Sequence, residues 1–215
     1  MIIVNNIIVR NEKKIELNNE TVSLNIEVAK LDIYISGKVV IEEHSKREKQ
    51  VINIYLAPDS ALEYNKTAKL KNYDLELSVL ESNNSNFNLN YSFSTKDIVN
   101  LKFNTNINGN NNNAKIVARG VSEGKGIINI EANGYVIPST KDNVLIEDIR
   151  CLTLGSNKAT IVPNMLINTN EVMANHFITV SGVSKSELFY LNSKGISDKK
   201  AVKLIKKGFL KGGGK

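Results

Sequence analysis

Side chains able to carry out chemistry are few in this sequence. Cys151 is its single cysteine, and a thiolate can bind a metal such as iron or carry sulfur. Of the two histidines, His176 lies near the end of a segment that alternates like a strand, and a neutral imidazole can bind iron or relay protons. Glu171, a little upstream of His176, offers a carboxylate. His44 lies among charged residues and is predicted to be in an exposed turn.

Each of these residues also has an ordinary structural explanation. A lone histidine is more often structural than functional, a buried cysteine commonly packs as a small hydrophobic residue, and a glutamate at a strand end is usually solvated. The sequence has no nucleophile elbow, P-loop or paired catalytic carboxylates. The glycine-rich stretch from Gly120 to Gly126 lacks the following helix that a phosphate cradle requires. We therefore expect a protein that is not an enzyme and that leaves ATP binding to a partner.

Composition predicts a cytoplasmic protein with no membrane contact. The apolar share of 41% is ample for a packed core, and no stretch of about 18 apolar residues occurs. Residues Met1 to Arg10 lack the features of a signal peptide. A single cysteine excludes an intramolecular disulfide framework and fits a reducing compartment.

The positive charge of the chain is concentrated at its C-terminus. The net charge is +6, and seven lysines but one acid lie between Asp198 and Lys215. This segment is either a solvated cationic helix face or a surface for an acidic partner protein. Nucleic acid is not expected, because neither an RNP-like aromatic motif nor a helix-turn-helix pattern is present.

Most of the chain alternates apolar and polar residues with period two. Val22, Leu24 and Ile26 alternate with polar neighbours, and Phe87 to Phe93 repeat the pattern, which predicts strands with one buried face. Short strands in succession fit a sandwich, a barrel or a solenoid. The scarcity of Asn-Gly and Asp-Gly turns weakly favours a solenoid, yet no fixed-length repeat is evident.

The pattern changes to helical near Ser184. Ser184 to Glu187 form a capping box, and Gly195 suits a left-handed helix C-terminus. A second helix is predicted to start after Ser197 and to end at Gly208. We expect a β core over residues 1–182 and a helical segment over residues 183–215, whose last residues, Gly212–Lys215, are expected to be disordered.

Short motifs in the second half occur in a specific order. They are Arg119-Gly120-Val121, Gly134, Leu152-Thr153-Leu154-Gly155, Pro163, His176, Leu188-Phe189-Tyr190-Leu191, Ser193-Lys194-Gly195-Ile196 and Gly208-Phe209. With these motifs the chain resembles the SufB/SufD core family, as a short SufD-like member. It differs from SufB-like members in having Phe177, where they carry a glutamate, directly after the histidine. Those members also carry a cysteine about two positions before Cys151.

The resemblance implies both a fold and a function. The implied fold is mainly β, a right-handed parallel β-helix (solenoid) with a small C-terminal α-helical hairpin. The implied function is that of a scaffold in SUF-type iron–sulfur cluster assembly, acting with the ABC ATPase SufC. The resemblance also implies a homodimer, or a heterodimer with a SufB/SufD paralogue, through the last coils. Any iron–sulfur cluster is expected to be transient rather than permanently bound.

The resemblance also assigns candidate roles to particular residues. The spacing of His176 from Pro163 matches the family, so His176, Cys151 and Glu171 are candidate cluster ligands near a dimer interface. The helical hairpin is the predicted ATPase dock, with these apolar anchors: Phe189, Tyr190, Leu204, Ile205 and Phe209. The alternative is a β-solenoid interaction module that binds an ATPase or another partner without a cluster. A solenoid enzyme of the pectate-lyase type is a distant third, because clustered carboxylates or basic residues are not evident.

Overall fold

The computed structural model describes residues 4–155 and 157–212, which form fifteen strands and then two helices. Odd-numbered strands form the first sheet: β1 (Val4–Val9), β3 (Thr21–Ile26), β5 (Lys38–Glu43), β7 (Ala61–Leu70), β9 (Asn86–Thr95), β11 (Asn113–Ser122), β13 (Asn143–Thr153) and β15 (Val172–Gly182). Even-numbered strands form the second sheet: β2 (Lys14–Asn18), β4 (Lys30–Ser36), β6 (Lys49–Leu56), β8 (Tyr73–Glu81), β10 (Ile98–Ile107), β12 (Ile127–Val136) and β14 (Lys158–Ile167).

The chain winds as a parallel β-helix. Successive strands alternate between the two sheets, and within each sheet every strand pairs in parallel with the strand one coil before it. Sandwiches and up-and-down barrels are built from antiparallel neighbours, so the solenoid is the one of the three candidate architectures that fits. The predicted mainly β solenoid with a helical C-terminus is confirmed, and its right-handed winding stays a prediction.

The length of the coils changes along the chain. Val4 pairs with Thr21, Ala61 with Asn86 and Asn113 with Val144, so the repeat grows from 17 to 25 to 31 residues, and it is 29 residues in the last coil. A repeat of changing length leaves no fixed period in the sequence. The sequence therefore predicts the individual strands from their alternating apolar residues, but it does not reveal where each coil begins and ends.

The core lies between the two sheets and takes every second residue of each strand. Val22, Leu24 and Ile26 of β3 are at most 1% exposed, and most inward-facing residues of the following strands, as far as β13, are also buried. Tyr91 packs edge-to-face against Phe93 and Phe103, with ring centroids 6.0 and 5.6 Å apart. Such pairs add about 0.5–1.5 kcal/mol each beyond the burial of their area.

Asparagines on the outer faces stack in ladders. The Asn100 amide donates to Asp74 at 2.7 Å, and Asn129 donates to Asn100 at 2.8 Å. A second ladder runs from Asn164 through Asn133 to Asn104. Because in-register coils lie about 4.8 Å apart, an amide on one coil reaches the amide on the next. These ladders account for much of the asparagine in the strands.

The two helices are α1 (Lys185–Ser193) and α2 (Asp198–Lys211). The predicted cap at Ser184 is confirmed by its side chain, which accepts from the Glu187 amide at 3.4 Å, and Gly195 has the expected positive φ of 78°. The prediction that Gly208 ends the second helix is wrong, because α2 continues to Lys211. The extra turn is held by tertiary contact, since the Ser92 hydroxyl donates to the Leu210 carbonyl at 3.0 Å.

The division into a core of residues 1–182 and a helical segment of residues 183–215 stays a prediction. The last described strand ends at Gly182, and α1 begins at Lys185. Of the tail predicted to be disordered, Gly212 is described as the residue that ends α2, and residues 213–215 lie outside the described residues.

Polar groups buried inside the solenoid are mostly paired. The Lys66 ammonium lies 2.6 Å from the Glu43 carboxylate, and both side chains are fully buried. Tyr64 donates to Glu43 and Lys66 donates to Tyr73, both at 2.9 Å. Glu81 is an exception, because it accepts one hydrogen bond from Ser85 at 3.0 Å while its Oε1 has no partner among the described residues.

Glu81 should make the stability of the protein depend on pH. Burial raises the pKa of Glu81 from 4.5 to about 8. Above pH 4.5 the unfolded chain releases this proton, whereas the folded chain keeps it until about pH 8, so the free energy of unfolding falls across this window and then levels off. We expect Glu81→Gln to remove a decline on the order of 4 kcal/mol, measured by urea denaturation between pH 5 and pH 9. The outward-facing control Glu76→Gln should keep the decline, and an unchanged profile in Glu81→Gln would contradict the assignment.

Candidate functional site

The solenoid ends in a coil that no described strand covers. β15 pairs with β13 and β14 with β12, and these two strands are the last of their sheets. We call β14 and β15 the open end. Most inward-facing residues from β3 to β13 are buried, whereas those of the open end are half-buried or exposed. Large apolar side chains are also exposed there: Val162, Leu166, Met173, Phe177 and Val180.

His176 lies on β15 at this open end. It pairs in register with Glu147 of β13, so both side chains leave the same, inward face of the first sheet. His176 is exposed, because no further coil covers it within the described residues. Phe177, the next residue, points to the opposite face and is 53% exposed. The imidazole is therefore accessible from the end of the solenoid.

Glu147 is a site residue that sequence reasoning missed. Its side chain is fully buried, and neither carboxylate oxygen has a hydrogen-bond partner in the described part of the chain. Burial raises the pKa of Glu147 to about 7. Its Oε1 lies 3.6 Å from the point that a Cβ at Gly134 would occupy, on the facing sheet. The sequence did contain one indication. Glu147 lies between Leu145 and Ile149 at every second position of β13, which places its side chain on the same inward face as these two apolar residues.

Cys151 lies in the core. Its side chain is fully buried, and Sγ is 3.2 Å from the point that a Cβ at Gly120 would occupy. Burial raises the pKa of the thiol to about 12, so at neutral pH it is protonated and a poor ligand. Cys151 pairs with Val180, four residues beyond His176, which separates the two by about 13 Å along the strand. The structure does not bring Cys151 and His176 together, and the ligand role of Cys151 stays a prediction.

Glu171 is exposed and directly precedes β15. Its amide donates to the Thr169 hydroxyl at 3.3 Å, and the five residues to His176 span about 16 Å of extended chain. Its ligand role likewise stays a prediction. Within residues 4–155 and 157–212, no three His, Cys, Asp or Glu side chains form a ready metal site.

The five predicted docking anchors on the helices fall into two groups. Phe189, Tyr190 and Leu204 are 77%, 61% and 44% exposed, so they are available to a partner. Ile205 and Phe209 are half-buried on α2.

Helix α2 packs against the outer face of β9 and β11. An ion pair between Lys206 and Glu123 and the hydrogen bond from Ser92 hold the helix there. The helical segment therefore presents its α1 aromatic residues from a fixed platform.

The Arg119-Gly120-Val121 motif has a structural role in β11. Arg119 is 5% exposed, pairs with the Asp148 carboxylate and donates to the Asp148 carbonyl at 2.7 Å. Gly120 faces inward, where a Cβ would lie 2.8 Å from the Phe93 ring. Val121, on the outer face, is fully buried. The motif thus serves packing on both faces of the sheet.

Neither described helix has the length and apolar character needed to cross a membrane.

Comparisons with known proteins identify the family. Residues 59–209, well over half of the chain, match the family model for the SUF system FeS cluster assembly, SufBD core domain. The iron–sulfur cluster assembly protein SufB of Bacillus subtilis (strain 168) is 34% identical over 104 residues, which cover 46% of this chain and 22% of that protein. A SufBD family protein of Galdieria sulphuraria is 27% identical over 104 residues, covering 48% of this chain and 47% of that protein.

The matched stretch spans less than half the length of these relatives, so the comparison concerns the core domain rather than the whole of either protein. The matched region runs from the turn before β7 to the second half of α2 and includes His176, Cys151 and the Arg119 motif. The parallel β-helix and the match over residues 59–209 agree with the predicted relationship. The chain belongs to the SufBD core domain family of the SUF iron–sulfur cluster assembly system.

Proposed function

We propose that this protein is a scaffold subunit of a SUF-type iron–sulfur cluster assembly complex, rather than an enzyme, and that it works in the cytoplasm with a SufC-like ABC ATPase. The observation that carries the proposal is the position of His176. This histidine is exposed at the open end of the solenoid, in a chain that belongs to the SufBD core domain family. In this proposal the iron–sulfur cluster is cargo, assembled and passed on rather than kept.

The proposed partner at the open end is a second copy of this chain or a SufB/SufD paralogue. A sheet edge offers unpaired N–H and C=O groups to another chain. The exposed apolar side chains of Met173 and Phe177 supply area to bury around that edge. In a two-fold arrangement each interface residue occurs twice, so two His176 side chains would face one shared site.

Met173→Glu, at the most exposed apolar residue of β15, should weaken this association. A charge placed in an apolar contact loses burial and is desolvated, so the variant should elute as a monomer under conditions in which the unchanged protein is dimeric. The measurement is light scattering after size exclusion, on the protein alone and mixed with a SufB paralogue. Ile8→Glu, an exposed apolar residue at the opposite end of the solenoid, is the matched control. A Met173→Glu protein that still dimerises would place the interface elsewhere.

The proposed dock for the ATPase is the helical segment. Phe189 and Tyr190 are exposed aromatic side chains, and such residues often dominate small interfaces. Exposed lysines on α2, including Lys203 and Lys207, add positive charge that suits an acidic surface. The fixed position of α2 on the first sheet would transmit movement of the ATPase to the solenoid.

Phe189→Ala should weaken ATPase binding by about 30-fold, since truncation of an aromatic anchor costs about 2 kcal/mol. Calorimetry with a SufC-like ATPase measures the affinity, and circular dichroism checks that the fold is kept. The control is Tyr34→Ala, which changes an exposed aromatic residue of β4 on the second sheet, far in sequence from α1. This variant should leave the affinity unchanged. Equal affinities for the Phe189→Ala and unchanged proteins would remove α1 from the dock.

Cluster assembly itself is tested by anaerobic reconstitution of the complex with iron and sulfide. We expect His176→Ala to lower the bound iron and sulfide at least tenfold, because a first-row metal loses an imidazole ligand. The matched control is His44→Ala, which changes the other histidine, exposed after β5. Full cluster content in His176→Ala would remove His176 from the site, whereas no cluster on the unchanged complex would favour the alternative of an interaction module that binds an ATPase without a cluster. The buried, protonated thiol of Cys151 supports that alternative.

A further inference from the structure

We infer that Glu147 and His176 form a half-site for ferrous iron at the open end. The inference deepens the proposed function by naming the species bound there and a ligand pair from one chain. It rests on the proposed function for the identity of the metal, while the pairing of the two side chains rests on the register of β13 and β15.

The first step is the isolation of the Glu147 carboxylate. Buried polar groups in proteins are almost always hydrogen-bonded, because an unpaired one loses its hydration without compensation. Both Glu147 oxygens lack a partner among the described residues, although the side chain is fully buried. The adjacent Asp148, on the outer face, is paired with Arg119 and Arg150 instead. Glu147 is therefore a buried ligand group that nothing in the described chain uses.

The second step is the absence of a competing cation in the described surroundings of Glu147. Its inward neighbours along β13 are Leu145 and Ile149, and its register partner on β11 is Ile116. On the facing sheet lie Gly134 and, in register with it, Thr105, whose hydroxyl is also buried without a partner in the described residues. No lysine or arginine is among these neighbours, so no protein cation competes with a metal ion for the Glu147 carboxyl group.

The third step is access from solvent through His176. Register partners on neighbouring parallel strands lie about 4.8 Å apart and leave the sheet on the same side. Glu147 is covered by β15, whereas His176 is on the last described strand of the sheet and is exposed. An ion entering from the open end reaches the imidazole first and the carboxylate behind it.

The fourth step is the choice of metal. Imidazole and carboxylate are the two donor types of the facial triad that holds non-haem ferrous iron, whereas soft thiolate ligands select Cu(I), zinc and iron–sulfur clusters. The one thiol of the chain, Cys151, is about 13 Å away along the strand. Two ligands from one chain leave coordination positions for water, and a second copy would bring the same pair again. The half-site therefore suits Fe²⁺ that binds first, before sulfide is added to build the cluster.

The test is anaerobic calorimetric titration of the purified chain with Fe²⁺ alone. Glu147→Gln keeps the size of the side chain and removes its charge, and we expect it to weaken binding at least tenfold, as should His176→Ala. The matched controls are Glu76→Gln, at an outward-facing glutamate of β8, and His44→Ala, at the other histidine, and both should bind within about twofold of the unchanged chain. Circular dichroism establishes that each variant is folded. Unchanged affinity in Glu147→Gln or in His176→Ala would overturn the inference.

A second measurement needs no variant. Co²⁺ added to the unchanged chain should shift or broaden the amide resonances of Glu147 and His176 and leave that of His44 unaffected. Resonances that respond only elsewhere, or nowhere, would overturn the pairing. Both measurements use the chain alone, so they are independent of the ATPase and of cluster reconstitution. Reconstitution that succeeds without Fe²⁺ binding to Glu147 would refute this inference and leave the proposed function standing.

Discussion

In-register parallel stacking of successive coils is the constraint on which the rest of this structure depends. The backbone of each strand bonds to the coil before and the coil after, so residues at equivalent positions form columns along the solenoid. Leu89, Ile116, Glu147 and His176 make up one inward column. A residue's chemical neighbours are thus set by the coils above and below it more than by its neighbours in sequence.

The same constraint explains both the outer surface and the end of the molecule. Asparagine above asparagine becomes a hydrogen-bonded ladder on the outside, as from Asn129 to Asn100. Where stacking stops, the column stops too, and its last members are left uncovered. His176 is exposed for this reason, while Glu147, one coil earlier in the same column, is buried. Reactive groups are therefore most accessible where the solenoid ends.

The motifs that carry the family resemblance divide into two kinds of role. Arg119 and Gly120 hold the packing of β11, with Arg119 paired to Asp148 on one face and Gly120 making room for Phe93 on the other. His176 and Phe189 remain exposed. Packing residues fix the platform, and the exposed residues are the ones left for partners and cargo.

Local patterns determined the strands and the helix caps. Period-two alternation, the Ser184 cap and the glycine at position 195 act over a few residues, so the sequence alone was enough to predict them. The architecture stayed open between sandwich, barrel and solenoid, because coils that grow from 17 to 31 residues carry no fixed period. The end of α2 was misplaced at Gly208, because a bond to Ser92, far away in the chain, extends the helix.

The candidate site was only half readable from the sequence. His176 stood out by its type and by its spacing from Pro163. Glu147 did not, since its partner lies 29 positions away and only strand register joins them. The burial of Cys151 likewise follows from the inward face of β13 and the coil packed over it. Register and burial are long-range properties of the stacked chain, so only the tertiary structure decided which reactive groups meet and which reach solvent.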